Sequence, residues 1–281
     1  MTIDLISTGL VQGLILSIVA YGVMIPFRFL NFPDLTAEGA YPLGAVVCAW
    51  ALSFGCSPLL SITLGMLASG IMGLMTALIH LKLQVNTLLS GIILSTMVYS
   101  VNLRIMEKPN MPLFDYASLF HNNVWGNMLI LAGIIGLCII PLALFLRTDF
   151  GLKLRVVGLN PDFASKQGIS IKRYTLLGLF LAGSMFGLAG GLIGQMQSYV
   201  DVGMGVGIVI HGLASLMIGE AMIGRNTLNK QLLAPLLGAL IYQQIQGLAL
   251  SIGLAPSDLK FFTGMIVLFV IAMQKRERVY S

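Results

Sequence analysis

The sequence predicts an all-α polytopic membrane protein of about eight or nine crossings, some of them interrupted or short. Three observations carry this. The 281-residue chain is 57% hydrophobic and only 10% charged, whereas a soluble domain is roughly a quarter charged. Its mean hydropathy is +0.92. Its apolar residues fall in unbroken runs of helical length, not in the apolar–polar alternation of barrel strands. Helices then satisfy the backbone within lipid. Residues 1–281 read as a single transmembrane domain with a polar loop at 147–173.

A bilayer-spanning helix needs about 20 apolar residues. The first run covers 5–27 and stops at Arg28. It is longer than a signal-peptide core and lacks a basic leader, so it reads as a retained span. Residues 30–45, LNFPDLTAEGAYPLGA, hold two prolines, two acids and two glycines. They rule out a plain spanning helix, and 30–53 either crosses or re-enters. Further spans are expected at 59–81, 85–103, 124–146 and 174–199. A short helix at 206–223 follows, then spans at 232–252 and 259–273 and a basic tail, QKRERVYS. A span, a Pro/Gly-rich break and a short helix thus occur twice, near 5–53 and 174–223. This suggests an internal repeat of opposite orientation, a pattern that marks the substrate path in transporters.

The 147–173 loop carries Arg147, Lys153, Arg155, Lys166, Lys172 and Arg173 against Asp149 and Asp162. The positive-inside rule puts it and the tail in the cytoplasm. Counting crossings from there places His80, Lys82, Arg225 and Lys230 inside, and 107–123 and the N-terminus outside. Nothing in this charge pattern invites nucleic acid. Cys48, Cys56 and Cys138 have no metal-ligand spacing and read as small core residues.

Within the loop, Asn160 suits an N-cap, Pro161 the first helical position and Asp162 the positive end of the helix dipole. Gly168 stops the helix. About two turns are predicted, with Phe163, Ala164, Ser165 and Lys166 in the body. Such a stub, with Phe163 on a cytoplasmic surface, suits a groove on a partner; a solvated connector is the plainer alternative. The chain has no G-x-x-x-x-G-K-[ST] loop, so it is not expected to bind ATP itself in the usual way.

Polar residues within the apolar runs are candidates for a substrate path. Carboxylates at membrane depth are costly and usually functional, which singles out Asp34 and Glu38. They are expected to face a wet path, or to pair with each other or with Arg28, unless they lie solvated at the interface. Glu220 reads as a partner of Arg225. His211 reads as a helix–helix hydrogen-bond partner or a ligand contact. Ser95, Tyr99 and Asn102 share one helix face, and Tyr242, Gln243 and Gln246 form a second polar patch; both serve as interhelical glue or path lining. Gly183, Gly187 and Gly191 form G-x-x-x-G steps for close packing. No metal cluster, Ser–His pair at motif spacing or HExxH motif points to an enzyme.

The loop resembles that of permease subunits of bacterial ABC importers for branched-chain amino acids and ribose. In that family a basic stretch leads into Gly-x-Asn-x-x-x-Ala-x-x-x-Gly-Ile, matched here by Gly158, Asn160, Ala164, Gly168 and Ile169. Asn31-Phe32 resembles the family's Asn-Phe-Ala segment, and GLASLMIGEAMIGRN at 212–226 its Gly-rich short helix. FPDLTAEGAYPLGA and GEAMIG resemble a subgroup encoded with lipoprotein-type binding proteins that takes up amino acids, aromatic ones included. Pro33, Asp34 and Glu38 depart from the branched-chain pattern.

The resemblance implies a bacterial inner-membrane assembly, surrounded by lipid, of two permeases (a homodimer or two related chains) and two ATPase subunits. The ATPases would bind ATP and Mg, none being held by this chain, and their groove would receive 160–168. An extracytoplasmic binding protein or lipoprotein would deliver a small polar solute, with an amino acid expected. The path candidates are Asn31, Phe32, Asp34, Glu38, Tyr99, His211 and Gln243. The alternative is a stand-alone secondary transporter or channel, which would have no use for a capped helix on a basic loop.

Overall fold

The computed structural model describes residues 2–121 and 124–253, together with 258, 259, 261, 263–266 and 268. Most of the span expected at 259–273, and the whole basic tail, lie outside the described residues. The elements in order are α1 (Thr2–Met24), α2 (Ala37–Ser53), α3 (Pro58–Leu83), α4 (Thr87–Met106), β1 (Asn110–Pro112), α5 (Val124–Arg147), α6 (Asp149–Leu159), α7 (Pro161–Lys166), α8 (Ile171–Gln197), β2 (Tyr199–Asp201), α9 (Ile208–Ile223) and α10 (Leu228–Ser251). Among the described residues, seven helical stretches are long and apolar enough to cross a membrane.

The break after α1 is built by its prolines and acids. The helix loosens into one wide turn at Ile25–Phe29, where Pro26 has no N–H to give. Asn31 then takes the left-handed conformation at φ 50°, which asparagine tolerates better than most residues. The chain reverses and enters α2. This helix is 17 residues long, so about 25 Å. It runs antiparallel to α3: Thr36 meets Thr76, and Ser69 donates to the Ala40 carbonyl at 2.7 Å. Residues 30–53 therefore cross the bundle and do not re-enter.

The helices pair in a pattern that repeats. α1 packs on α9 and α10, and α9 on α10. Likewise α8 packs on α2 and α3, and α2 on α3, while α1 meets α8 in the middle. Exchanging α1–α3 with α8–α10 leaves these pairings unchanged, although α1 and α8 run in opposite directions. The repeat is thus inverted.

Small residues let these pairs close, since helices in lipid are held by packing rather than by apolar burial from water. A Cβ on Gly219 would overlap the Ala234 carbonyl, and one on Gly190 the Tyr41 carbonyl. The G-x-x-x-G stripe is corrected in one position. Gly183 and Gly187 do abut Ser69 of α3, but Gly191 meets nothing nearer than 3.5 Å. Its neighbour Gly190 is the one without room.

The two ends differ in charge. At one end lie Arg28, Lys82, Arg147, Lys153, Arg155, Lys166, Lys172, Arg173, Arg225 and Lys230. There Arg147 donates to Asn229 at 2.6 Å, joining the end of α5 to the start of α10. At the other end β1 and β2 pair antiparallel, with Met111 opposite Val200. The positive-inside rule makes the first end cytoplasmic.

Candidate coupling helix and translocation site

The polar loop holds two helices where one was expected. α6 follows α5 after a sharp bend, at which Gly151 packs against the backbone of Phe145 and Leu146. α7 is the short helix read from the sequence. The Asn160 side chain accepts from the Phe163 N–H at 2.9 Å, Pro161 opens the helix, and Gly168 leaves it at φ 74°. Ala164 is fully buried, whereas Pro161, Asp162, Phe163, Ser165, Lys166 and Gly168 are exposed. Phe163 is 51% exposed and Leu159, four residues earlier, is 84% exposed. Both are apolar side chains left exposed at the basic end of the bundle.

The loop is locked to the end of α1. Gly158 of α6 sits so tightly on the Phe29 carbonyl and on Leu30 that any side chain would overlap them. Next to this contact, Arg28 forms a two-pronged ion pair with Glu220 near the end of α9, one prong at 2.7 Å. This corrects the expected Glu220–Arg225 pair. α9 ends at Gly224, with φ 80°, which turns Arg225 away. Glu220 is left against α1.

The intramembrane acids have separate partners. Asp34 is buried and accepts from the Thr36 N–H at 2.8 Å and from the Thr36 hydroxyl, which itself meets Thr76 at 2.8 Å. It closes the turn into α2, a local role typical of aspartate. Glu38, one turn on, accepts from the Gly207 N–H at 3.2 Å, where α9 begins. Neither acid pairs with the other or with Arg28. Pro42 has no N–H for the Glu38 carbonyl, and Gly205 packs directly against that carbonyl.

Glu38 and Tyr99 come together in a cavity of about 220 Å³. Glu38, Gly39 and Pro42 of α2 form one wall, and Ser95, Thr96, Tyr99 and Asn102 of α4 the other. Val202 and Val206 close it from the segment before α9. Of these, Tyr99 and Val206 are 51% and 62% exposed. Asn102 is fully buried, and neither its Oδ1 nor its Nδ2 has a hydrogen-bond partner among the described residues. The sequence marked its helix face as polar, but the missing partner is visible only in three dimensions.

The remaining candidates lie elsewhere. Asn31 is exposed at the turn, and Phe32 is buried edge-on against His80, ring centroids 5.1 Å apart. His211 is half-buried and edge-on to Tyr242 at 5.7 Å. Gln243 donates to Gln12 at 2.6 Å, joining α10 to α1. Tyr242 bonds Thr263 and Gln246, each at 2.7 Å.

An inverted-repeat helical bundle with a cavity between its helices and a capped helix on its basic end points to a membrane transport subunit rather than an enzyme. Residues 5–271 match the family described as branched-chain amino acid transport system, permease component, and the chain belongs to it: it is an ABC transporter permease, a multi-pass protein of the inner membrane. It is 38% identical over 261 residues to a tyrosine transport system permease protein of Clostridioides difficile, covering 93% of this chain and 88% of that one. It is 29% identical over 197 residues to the nucleoside ABC transporter permease protein NupB of Lactococcus lactis, covering 69% and 50% of the two chains. A solved structure of an inward-facing ABC transporter, described as of metal-chelate type, superposes with a TM-score of 0.56 at 19% identity. That match covers 96% of this chain and 85% of the other and speaks to the fold. As a permease of this class, the chain works with a partner ATPase, which binds the nucleotide.

Proposed function

We propose that the chain is the permease of an ATP-driven importer for an amino acid with an aromatic side chain. Two copies of it would assemble with two ATPase subunits and receive substrate from an extracytoplasmic binding protein. The observation that carries the coupling part is α7. A capped helix with Phe163 and Leu159 exposed beside it on a basic cytoplasmic face suits an apolar groove on the ATPase. The similarity to a tyrosine permease over 93% of the chain supports the substrate class.

The geometry supplies a route for the push. Movement of α7 reaches α6, and through Gly158 the end of α1 at Phe29 and Leu30. From there one arm runs through the turn of Asn31 and Asp34 into α2. The other crosses the Arg28–Glu220 pair into α9. These two arms bear Glu38 and Val206, which both line the cavity, so a shift at the loop would change it. Asn31, Phe32, His211 and Gln243 act in this reading through packing around the path.

The test is uptake by proteoliposomes holding the permease, its ATPase and its binding protein. ATP-dependent accumulation of L-tyrosine or L-phenylalanine is expected. Accumulation of uridine with neither amino acid would overturn the substrate class.

A further inference from the structure

We infer that Asn102 is a specificity-determining residue, reading a hydroxyl at the end of the ligand remote from its ammonium group. This rests on the amino-acid reading above and names what the cavity recognises. A buried carboxamide with no partner for either its donor or its acceptor is rare and costly. Here Asn102 is one of the residues lining the cavity that Glu38 and Tyr99 share, and its carboxamide, closed off from solvent, is left for a ligand entering between α2 and α4 to complete.

The spacing of the polar groups fixes the shape of that ligand. Gly39 of α2 packs directly on the Ser95 backbone, which sets the neighbouring Glu38 backbone near the Ser95 level of α4. Asn102 is seven residues farther along the same helix, about 10 Å away at 1.5 Å per residue. The lining thus offers an acceptor-only carboxylate and, farther along α4, a donor–acceptor carboxamide. The Tyr99 ring and the Pro42 and Val202 side chains line the same cavity and give it apolar surface suited to a ring.

A carboxylate with one oxygen held by the Gly207 N–H still attracts an ammonium group. A ligand with an ammonium at one end, an aromatic ring in the middle and a hydroxyl at the far end matches all three regions. Among amino acids that is tyrosine, with phenylalanine as the same molecule lacking the remote hydroxyl. A site built to bond a hydroxyl rejects the analogue without it strongly, because its own polar groups are left unpaired.

The experiment compares L-tyrosine and L-phenylalanine uptake in proteoliposomes with the full complex, for wild type, Asn102→Leu and Glu38→Gln. The binding protein is the same throughout, so its own preference cancels when variants are compared with wild type. Asn102→Leu is expected to lower the tyrosine-to-phenylalanine ratio by about tenfold or more. Its thermal midpoint should equal or exceed that of wild type, since an unpartnered polar group is replaced by an apolar one of similar volume. Glu38→Gln is expected to lower uptake of both amino acids by a similar factor. An unchanged ratio in Asn102→Leu overturns this inference while leaving the amino-acid reading in place. Wild-type complex that carries neither amino acid overturns both.

Discussion

Arg28 and Glu220 meet across 192 residues of sequence, and their pairing gives the clearest prediction at the scale of single residues. Glu220 is nearly fully buried, with a side chain 4% exposed, and Arg28 is 35% exposed. Removing one partner of a buried pair leaves an uncompensated charge, at about 3–5 kcal/mol. Solvent around Arg28 reduces this, so Glu220→Gln should cost about 1–3 kcal/mol, read as a lower thermal midpoint in detergent. The double variant Arg28→Gln/Glu220→Gln should regain part of that loss; a further loss would show that the pair is not the contact at stake. Gly190 and Gly191 make a second contrast. Gly190→Ala pushes a methyl into the Tyr41 carbonyl, whereas Gly191→Ala meets only ordinary contact. The first should destabilise the purified protein and the second should not. The sequence could mark the glycine stripe but not its phase, because a helix face is defined only by what packs on it.

Among the elements, the spans were legible because each is a long apolar run bounded by charge or a break. The start of α2 was legible as an interruption, since Pro33, Asp34 and Gly39 are incompatible with an ordinary span. That it crosses the bundle was not legible, because its direction is set by the pairing with α3. α6 was missed as a separate helix because Lys153 and Arg155 sit in the polar stretch that reads as loop. The β1–β2 ladder was missed because three-residue strands so far apart leave no local pattern. In α7 the caps were legible and can be tested. Asn160→Ala removes a cap worth about 1 kcal/mol. If the helix must be formed to dock, the ATPase subunit should bind the solubilised permease about fivefold more weakly. Unchanged binding would mean that the helix does not need its cap in the complex.

For the whole molecule, the inverted repeat and the segregated charge define which end faces which compartment. In a Cys56→Ser background, Phe163→Cys should react with a membrane-impermeant thiol reagent only when it is applied from the cytoplasmic side. Phe114→Cys, at a residue 77% exposed, should react only from the other side. The candidate cavity was partly legible: Glu38, Tyr99 and the Ser95–Asn102 face were marked as separate features. Their convergence was not, because α2 and α4 meet only after the chain reverses at Asn31 and packs through Gly39.

The central claim is that an external ATPase drives this bundle through the Asn160-capped helix. The most direct measurement is ATP hydrolysis by the reconstituted complex, with and without substrate-loaded binding protein, when residues 160–168 are replaced by a Gly/Ser linker of equal length. Loss of substrate-stimulated hydrolysis, with the helical content of the permease retained, is the predicted result. A linker variant that still assembles and responds to substrate as wild type does would contradict the claim.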